Sequence, residues 1–404
     1  MRILIVSMSF PLPPKSGGRL RVFNLLKHLA SRHRVTLLTL ADSAEDVATH
    51  IPDLERLGAR VIVVPWRPGP GALAGRVIRN AAWLGVLPLS VLNKRSPALA
   101  KALHELLQRE SFDVVQIEWI QMAQHVHDSD WPLLARRGVL VEHDVAWLPL
   151  QRRVAVARGI GRWFWAREAR LMRAYEEAVW RRFAAVVTMS DQDAQHVRPV
   201  TDRVNVVPNG VDVAHYAECV EAKRDDRTLL FVGWFRHDPN VDALRYFLES
   251  IYPRLAERHP DVTLRVVGSH LPRAVERLAS RRPSVELSGY VEDVRPVLAR
   301  AAVSVVPLRV GGGTRLKILE SMAAGTPVVT TSIGCEGLDV EAGRHLLVED
   351  SPEGFAGCVS DLLTDEGARR RLAREARSLV ESQYDWSRSA QELERVYEAV
   401  SGSG

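Results

Sequence analysis

The stretch Val310–Thr331 reads VGGGTRLKILESMAAGTPVVTT. Three glycines, Gly311, Gly312 and Gly313, precede an apolar-periodic run from Thr314 to Ala324. Gly325 stops that run and Pro327 keeps it from resuming. The pattern predicts a glycine loop, a short helix with Thr314 as N-cap, and a β-branched strand from Val328. Glycine lacks a Cβ, so a ligand can come close to the backbone N–H groups. Those groups, with the helix dipole behind them, make an anion site. Thr314, Lys317, Glu320 and Ala324 recur at helical spacing and share one face. A cation then lies near the anion-binding end and a carboxylate one turn further along, which suits the phosphates and ribose hydroxyls of a nucleotide. A lysine–glutamate pair on a solvated face, worth about 0.2–0.5 kcal/mol, accounts for the same spacing. Arg315 and Lys317 lie about 200° apart around a helix, so they would grip a phosphate from different sides.

Two further sets of residues have chemistry to offer. DVVQIEW (113–119) and GVLVEHDVAW (138–147) read as parallel strands ending in Glu118 and in Glu142, His143 and Asp144. Ligands of open α/β sheets sit beyond the carboxyl ends of the strands, so His143 and Asp144 are expected to face an interdomain cleft. A neutral imidazole there can hydrogen-bond a hydroxyl or steady developing charge, although a lone histidine is also a common structural residue. Glu118 is expected as an acceptor-side contact. The loop Ser9–Gly18 ends in KSGGRLR, where Gly17, Gly18, Arg19 and Lys15 make either a plain turn or an anion-binding loop.

The elements that must position these residues follow an α/β rhythm. Residues 3–6, 35–40, 61–64 and 184–190 read as buried strands, with a helix from Leu20 to Ser31 turning Phe23, Leu26 and Leu29 to the sheet. VNVVPNGVDVAHY (204–216) reads as a hinge, since Pro208, Asn209 and Gly210 are turn residues between apolar runs. The second half repeats the rhythm, with glycine at successive strand ends: Gly233, Gly268, Gly289 and Gly311–Gly313. A sheet edge this open is a binding platform. The expected fold is α/β, two Rossmann-like domains facing a cleft. The expected boundaries are 1–205, 206–384 and a C-terminal helix, 385–404, crossing back to brace the first domain.

With 404 residues the chain exceeds one ordinary core. No apolar run reaches a membrane span, and the start, MRILIVSMSFPLPP, reads as a first strand and not as a signal peptide. Cys219, Cys335 and Cys358 are scattered without CxxC, which argues against a disulfide framework or zinc site and fits a reducing cytoplasm. Residues 1–205 hold 29 Lys+Arg against 19 Asp+Glu and eight of the ten tryptophans; residues 206–404 hold 25 against 30. A basic, Trp-rich first half points to an anionic partner, and an ordinary solvated surface is the plainer account. The segment 76–95, apolar with Arg76, Arg79, Trp83, Lys94 and Arg95, is expected either on the cytoplasmic membrane face or packed on the core. The long basic helix 158–183 reads as solvated, and no nucleic-acid partner is expected.

Glycine loop, Lys317, Glu320, a small-residue turn and PVV together resemble the donor-site signature of retaining GT-B glycosyltransferases of family four. GGGTRLKILESMAAG is similar to the subgroup that builds bacterial exopolysaccharide and other cell-surface glycans. PNGVD stands where that family passes from one Rossmann-like domain to the next. The resemblance implies a nucleotide-sugar donor in the second domain. Glu320 would hold the ribose, with Lys317, Arg315 and the glycine-loop N–H groups of Gly311–Gly313 and Thr314 neutralising the diphosphate. Backbone at Tyr290 and Val291 would read the base, and Gly233, Gly268 and the out-of-register Arg236 would complete the donor wall. It places His143 near the transferring sugar, with Asp144 next to it, and gives the Gly17–Arg19 loop to the acceptor or the phosphates. It implies retention at the anomeric carbon, no metal or other cofactor, and a glycan or lipid-linked acceptor at the inner membrane face. Where the family usually has an acid eight positions before the glutamate, this chain has Gly312. A sugar-nucleotide epimerase or phosphorylase and a non-catalytic sugar-nucleotide-binding paralogue share the same fold and stand as alternatives.

Overall fold

The structure, a computed structural model, describes residues 1–14, 16–66, 87–311 and 316–402. It divides into two compact units, one of Met1–Pro208 with Trp386–Gly404, the other of Asn209–Asp385. Each is a parallel sheet with helices.

In the first unit the strands are β1 (Arg2–Ser7), β2 (Arg34–Ala41), β3 (Arg60–Pro65), β4 (Val114–Glu118), β5 (Gly138–Glu142), β6 (Ala185–Thr188) and β7 (Val204–Val206), in spatial order β3-β2-β1-β4-β5-β6-β7. They read as near-continuous apolar runs because helices cover both faces of a parallel sheet. Every residue of β4, β5 and β6 is buried. The order reverses between β1 and β4, so these two strands open the crevice at their carboxyl ends.

The first helix runs Gly17–Ala30, three residues earlier than the apolar pattern placed it, and it buries Arg21 and Asn24 with Val22, Leu25, Leu26 and Leu29. Phe23 is only half-buried. Arg21 can be buried because its guanidinium donates to the carbonyls of Val207 and Pro208, each at 3.0 Å. The last helix, Trp386–Ser401, lies against the first. Its Glu394 carboxylate is 2.8 Å from His33 Nε2 and 2.9 Å from Arg32.

In the second unit the strands are β8 (Thr228–Val232), β9 (Thr263–Val267), β10 (Val285–Gly289), β11 (Val303–Val306), β12 (Val328–Thr330) and β13 (Leu347–Val348), in order β10-β9-β8-β11-β12-β13. The reversal falls between β8 and β11. The helix Leu316–Ala323 follows β11 and starts at that crevice. Gly325 ends it at φ 67°, the left-handed conformation a helix stop favours. Its final carbonyls are held by cations: Arg224 donates to Ala324 O at 2.7 Å, and Arg377 donates to Ala323 O. Positive charge at this end complements the helix dipole and fixes the helix from behind.

Candidate active site

At the β1–β4 crevice of the first unit, Trp119, His143, Glu118, Gln116 and Tyr397 form one chain of contacts. Gly18 lies in the first turn of the helix Gly17–Ala30, and a Cβ there would fall 2.5 Å from the Trp119 ring. Only glycine lets the indole lie where it does. Trp119 follows β4 at φ 67° and donates its amide to Val141 O on β5 at 3.0 Å. Its indole lies flat on the His143 imidazole, ring centroids 4.0 Å apart and planes 9° from parallel.

His143 follows β5 and is buried, with Nε2 2.6 Å from Glu118 Oε2. A carboxylate oxygen accepts, so Nε2 carries the hydrogen and Nδ1 keeps its lone pair. Burial pulls the imidazole pKa below its ordinary value, against the opposing pull of Glu118, and favours the neutral ring. Behind Glu118 the chain of hydrogen bonds continues: Gln116 Nε2 donates to Glu118 Oε1 at 2.6 Å, and the Tyr397 hydroxyl donates to Gln116 Oε1 at 2.5 Å. The charge of Arg21 also faces Glu118, and burial brings that guanidinium down to about 10.

Glu118 is therefore not the acceptor contact its strand-end position suggested. It is 1% exposed and both its oxygens are taken, one by His143 and one by Gln116. Glu142 points the other way: Glu118 lies opposite Val141 on β5, and the next residue along that strand faces the other side of the sheet. Glu142 accepts from Trp180 Nε1 at 2.8 Å. Beside it, Glu176 accepts from the amides of Ala146 and Trp147 at 2.6 and 3.1 Å. Burial, then repulsion from Glu176, pushes the Glu142 carboxyl well up. Burial also pushes Glu176 up, to about 8. Asp144 is exposed. Gly17 is exposed in the first helical turn, and Arg19 reaches Asp42 at 3.4 Å. Lys15 and the segment 67–86, with Arg76, Arg79 and Trp83, lie outside the described residues.

In the second unit the strand ends are bare backbone. Gly268 has φ 145°, and a Cβ on it would fall 1.7 Å from Gly233 O. Its amide donates to Gly289 O at 2.8 Å, while the Gly233 amide donates to Val267 O at 2.9 Å. Gly289 has φ 67°. The glycines thus form one continuous edge along β8, β9 and β10. Trp234 and Tyr290, 44% and 70% exposed, flank it. Val291 is half-buried and Arg236 is exposed.

Lys317 is brought to this edge. Its ammonium donates to Val232 O at 2.7 Å and to Asn240 Oδ1 at 2.8 Å, and lies 5.6 Å from the Phe231 ring centroid. Asn240 is itself fixed by donating to Trp234 O at 2.9 Å. Glu320, one turn on, is half-buried; burial raises its pKa, against the opposing pull of the Lys317 charge and of the Tyr216 hydroxyl. Lys317 is held by Val232 and Asn240 while its charge still acts on Glu320, and both residues are half-buried, so a lysine–glutamate pair on a solvated face does not describe them. Gly311 is described, at φ 126°, whereas Gly312, Gly313, Thr314 and Arg315 lie outside the described residues.

Trp119, Gln116, Tyr397, Asn240 and Tyr216 were not singled out from sequence. Gln116 and Glu118 carried a signal, being polar at alternate positions of an otherwise apolar, fully buried strand. Among the described residues one group, His104, His127 and Asp130, has ligand-type atoms within 4.8 Å of one another, and it belongs to neither cluster.

Comparison with known proteins adds to this geometry. Residues 16–215 match the model described as Glycosyltransferase Family 4, and residues 226–365 match that described as Glycosyl transferases group 1. The phosphatidyl-myo-inositol mannosyltransferase of Mycolicibacterium smegmatis is 32% identical over 49% of this chain and 52% of its own length, so the match spans about half of that relative. The glycogen synthase of Mycobacterium tuberculosis is 28% identical over 99% of this chain and 95% of its own length. Among solved structures, HepE from Anabaena in complex with UDP superposes with a TM-score of 0.70 at 16% identity, covering 99% of this chain and 100% of that one. HepE has also been solved with UDP-glucose.

Proposed function

Because this chain belongs to the glycosyltransferases of the GT-B fold, we propose that it moves a sugar from a nucleotide-sugar donor to a glycan or lipid-linked acceptor in cell-surface polysaccharide synthesis. The observation that carries the donor assignment is the glycine edge of β8–β10, with Lys317 and Glu320 brought to it by one helix. Bare backbone lets a nucleotide lie against the strand ends, as it does against other open α/β sheets. The UDP and UDP-glucose bound to HepE support this class of ligand.

In this reading Glu320 accepts the ribose hydroxyls. Lys317 and the N–H groups of the loop Gly311–Thr314, together with Arg315, take up the charge that grows on the departing diphosphate. Cations and amides in that role replace a metal ion, so none is required. Tyr290 and Val291 meet the base. His143, neutral and oriented by Glu118, presents Nδ1 as an acceptor to a hydroxyl of the transferring sugar. The transfer proceeds with retention. The protein works in the cytoplasm at the inner membrane face, where a lipid-linked acceptor would be, and the phosphatidylinositol acceptor named for the mycobacterial relative supports a lipid substrate.

Incubation with a panel of nucleotide sugars, with and without a membrane-lipid extract, tests the proposal. Turnover only with acceptor, surviving a chelator, is the expected result, with the anomeric configuration of the product read by NMR. Epimer formation without acceptor would instead make the protein an epimerase, and binding without turnover a non-catalytic paralogue.

A further inference from the structure

The helices Trp147–Val156 and Gly159–Trp180 pack against each other as a hairpin in the first unit, with Ala157 and Arg158 as its turn. The sequence from Val145 to Arg167 contains five arginines and no carboxylate. Charge is that one-sided nowhere near the hairpin's far end, where Arg173 pairs with Glu177 at 2.8 Å. At the turn end two large apolar side chains also face solvent: Ile160 is 89% exposed and Trp163 67%. They stand three residues apart and so share one helix face. Arg158 and Arg162 are exposed beside them.

The inner part of the hairpin is built differently. Trp165 is half-buried under the Arg153 guanidinium, 4.8 Å from its ring centroid, and Trp147 lies under Arg173 at 5.1 Å. Those tryptophans are packing residues. Ile160 and Trp163 add nothing to the core. Gly159 and Gly161 have open space where a Cβ would stand, so the end is unobstructed.

We infer that this hairpin end docks on an anionic lipid surface, with Ile160 and Trp163 inserting at the headgroup–acyl boundary and Arg158 and Arg162 meeting lipid phosphates. The charge argues for this occupant. A protein groove accepting Ile160 and Trp163 would have to match the exposed Arg158 and Arg162 beside them, whereas an anionic bilayer offers phosphate at every position. Tryptophan also prefers the interface, having an apolar body and a polar N–H. Among the described residues no helix is long and apolar enough to cross a membrane, so the contact is a peripheral one. The inference rests on the lipid-linked-acceptor part of the proposed function, and it names the hairpin end in addition to segment 76–95, of which residues 76–86 lie outside the described residues.

The test is co-sedimentation of the full chain with vesicles, without donor or acceptor. At low salt the wild type should pellet with phosphatidylglycerol-containing vesicles and stay in solution with phosphatidylcholine alone. The double variant Ile160→Ser, Trp163→Ser should lose at least about tenfold in partitioning, and Arg158→Gln with Arg162→Gln a similar amount that added salt also removes. Both variants should melt as the wild type does, because the changed side chains are exposed. Failure of the wild type to bind, or equal binding by wild type and variants, would overturn the inference. So would vesicle-independent self-association abolished by Ile160→Ser, Trp163→Ser, which would make the occupant a second copy of the chain. Nucleotide binding, measured in parallel, reports the donor site, so failure here leaves that assignment separately readable.

Discussion

His143 and Gly268 both follow an interior strand of a parallel sheet, and they are held in opposite ways. His143 is fixed by side chains: Trp119 against its face, Glu118 on Nε2, then Gln116 and Tyr397 in line behind. Gly268 is fixed by the absence of a side chain, with a neighbouring carbonyl where its Cβ would be. A wall made of side chains can set a protonation state. A wall made of backbone can only set shape and present amides. The first should therefore be sensitive to hydrogen-bonding changes that keep volume constant, the second to added volume.

The comparison breaks most visibly at Gly268→Ala. With a carbonyl oxygen 1.7 Å from the new Cβ and φ at 145°, the substitution should cost about 3–5 kcal/mol, read as a large drop in melting temperature. An unchanged melt would mean the edge is loose. His143→Ala should come next. It should lower kcat about 100-fold while leaving nucleotide affinity as it was, since the two sites draw on different strands. Equal losses of rate and affinity would place His143 elsewhere than at the transferring sugar.

Glu118→Gln sharpens the contrast, because it conserves volume and changes only what the imidazole meets. An amide can donate as well as accept, so the tautomer is no longer dictated, and kcat should fall about 10- to 100-fold with a changed pH profile. A normal profile would reduce Glu118 to packing.

The smallest effect concerns Glu176, whose carboxyl burial raises to about 8. The native state then holds a proton that the unfolded chain gives up at ordinary carboxylate values. That contribution to stability is fully present below about 4.5 and is lost as pH rises through about 8. Melting temperature should fall between pH 6 and 9, and Glu176→Gln should flatten part of the fall. A slope unaltered in the variant would show that this carboxyl is not the source.

The two walls also differ in how far they could be read in advance. Glycines at consecutive strand ends are visible in sequence because no other residue explains them there, and the apolar runs that fix the parallel sheets are equally plain. His143 was visible by its place at a strand end. Its partners were harder to see. Tyr397 lies 281 positions from Gln116, a separation that no local pattern spans. Trp119 draws its role from a positive φ and a contact with Gly18, and neither is written in composition. Glu118 was expected at the acceptor, and its carboxylate instead meets His143 and Gln116, since strand position gives the end of the sheet and not what the carboxylate meets. Lys317 and Glu320 read as a pair from spacing, and only the structure adds what else holds them: Asn240 and Val232 bond Lys317, and burial acts on Glu320 beside the Lys317 charge and Tyr216.

The most direct test of the donor assignment is calorimetric titration of wild type and Glu320→Ala with UDP and GDP. A hydroxyl bonded to a carboxylate is worth about 1.5–3 kcal/mol, so whichever nucleotide binds the wild type should bind the variant at least tenfold more weakly, with folding intact. Equal affinity in the two proteins would remove Glu320 from the ribose and contradict the placement of the nucleotide at the β8–β10 edge.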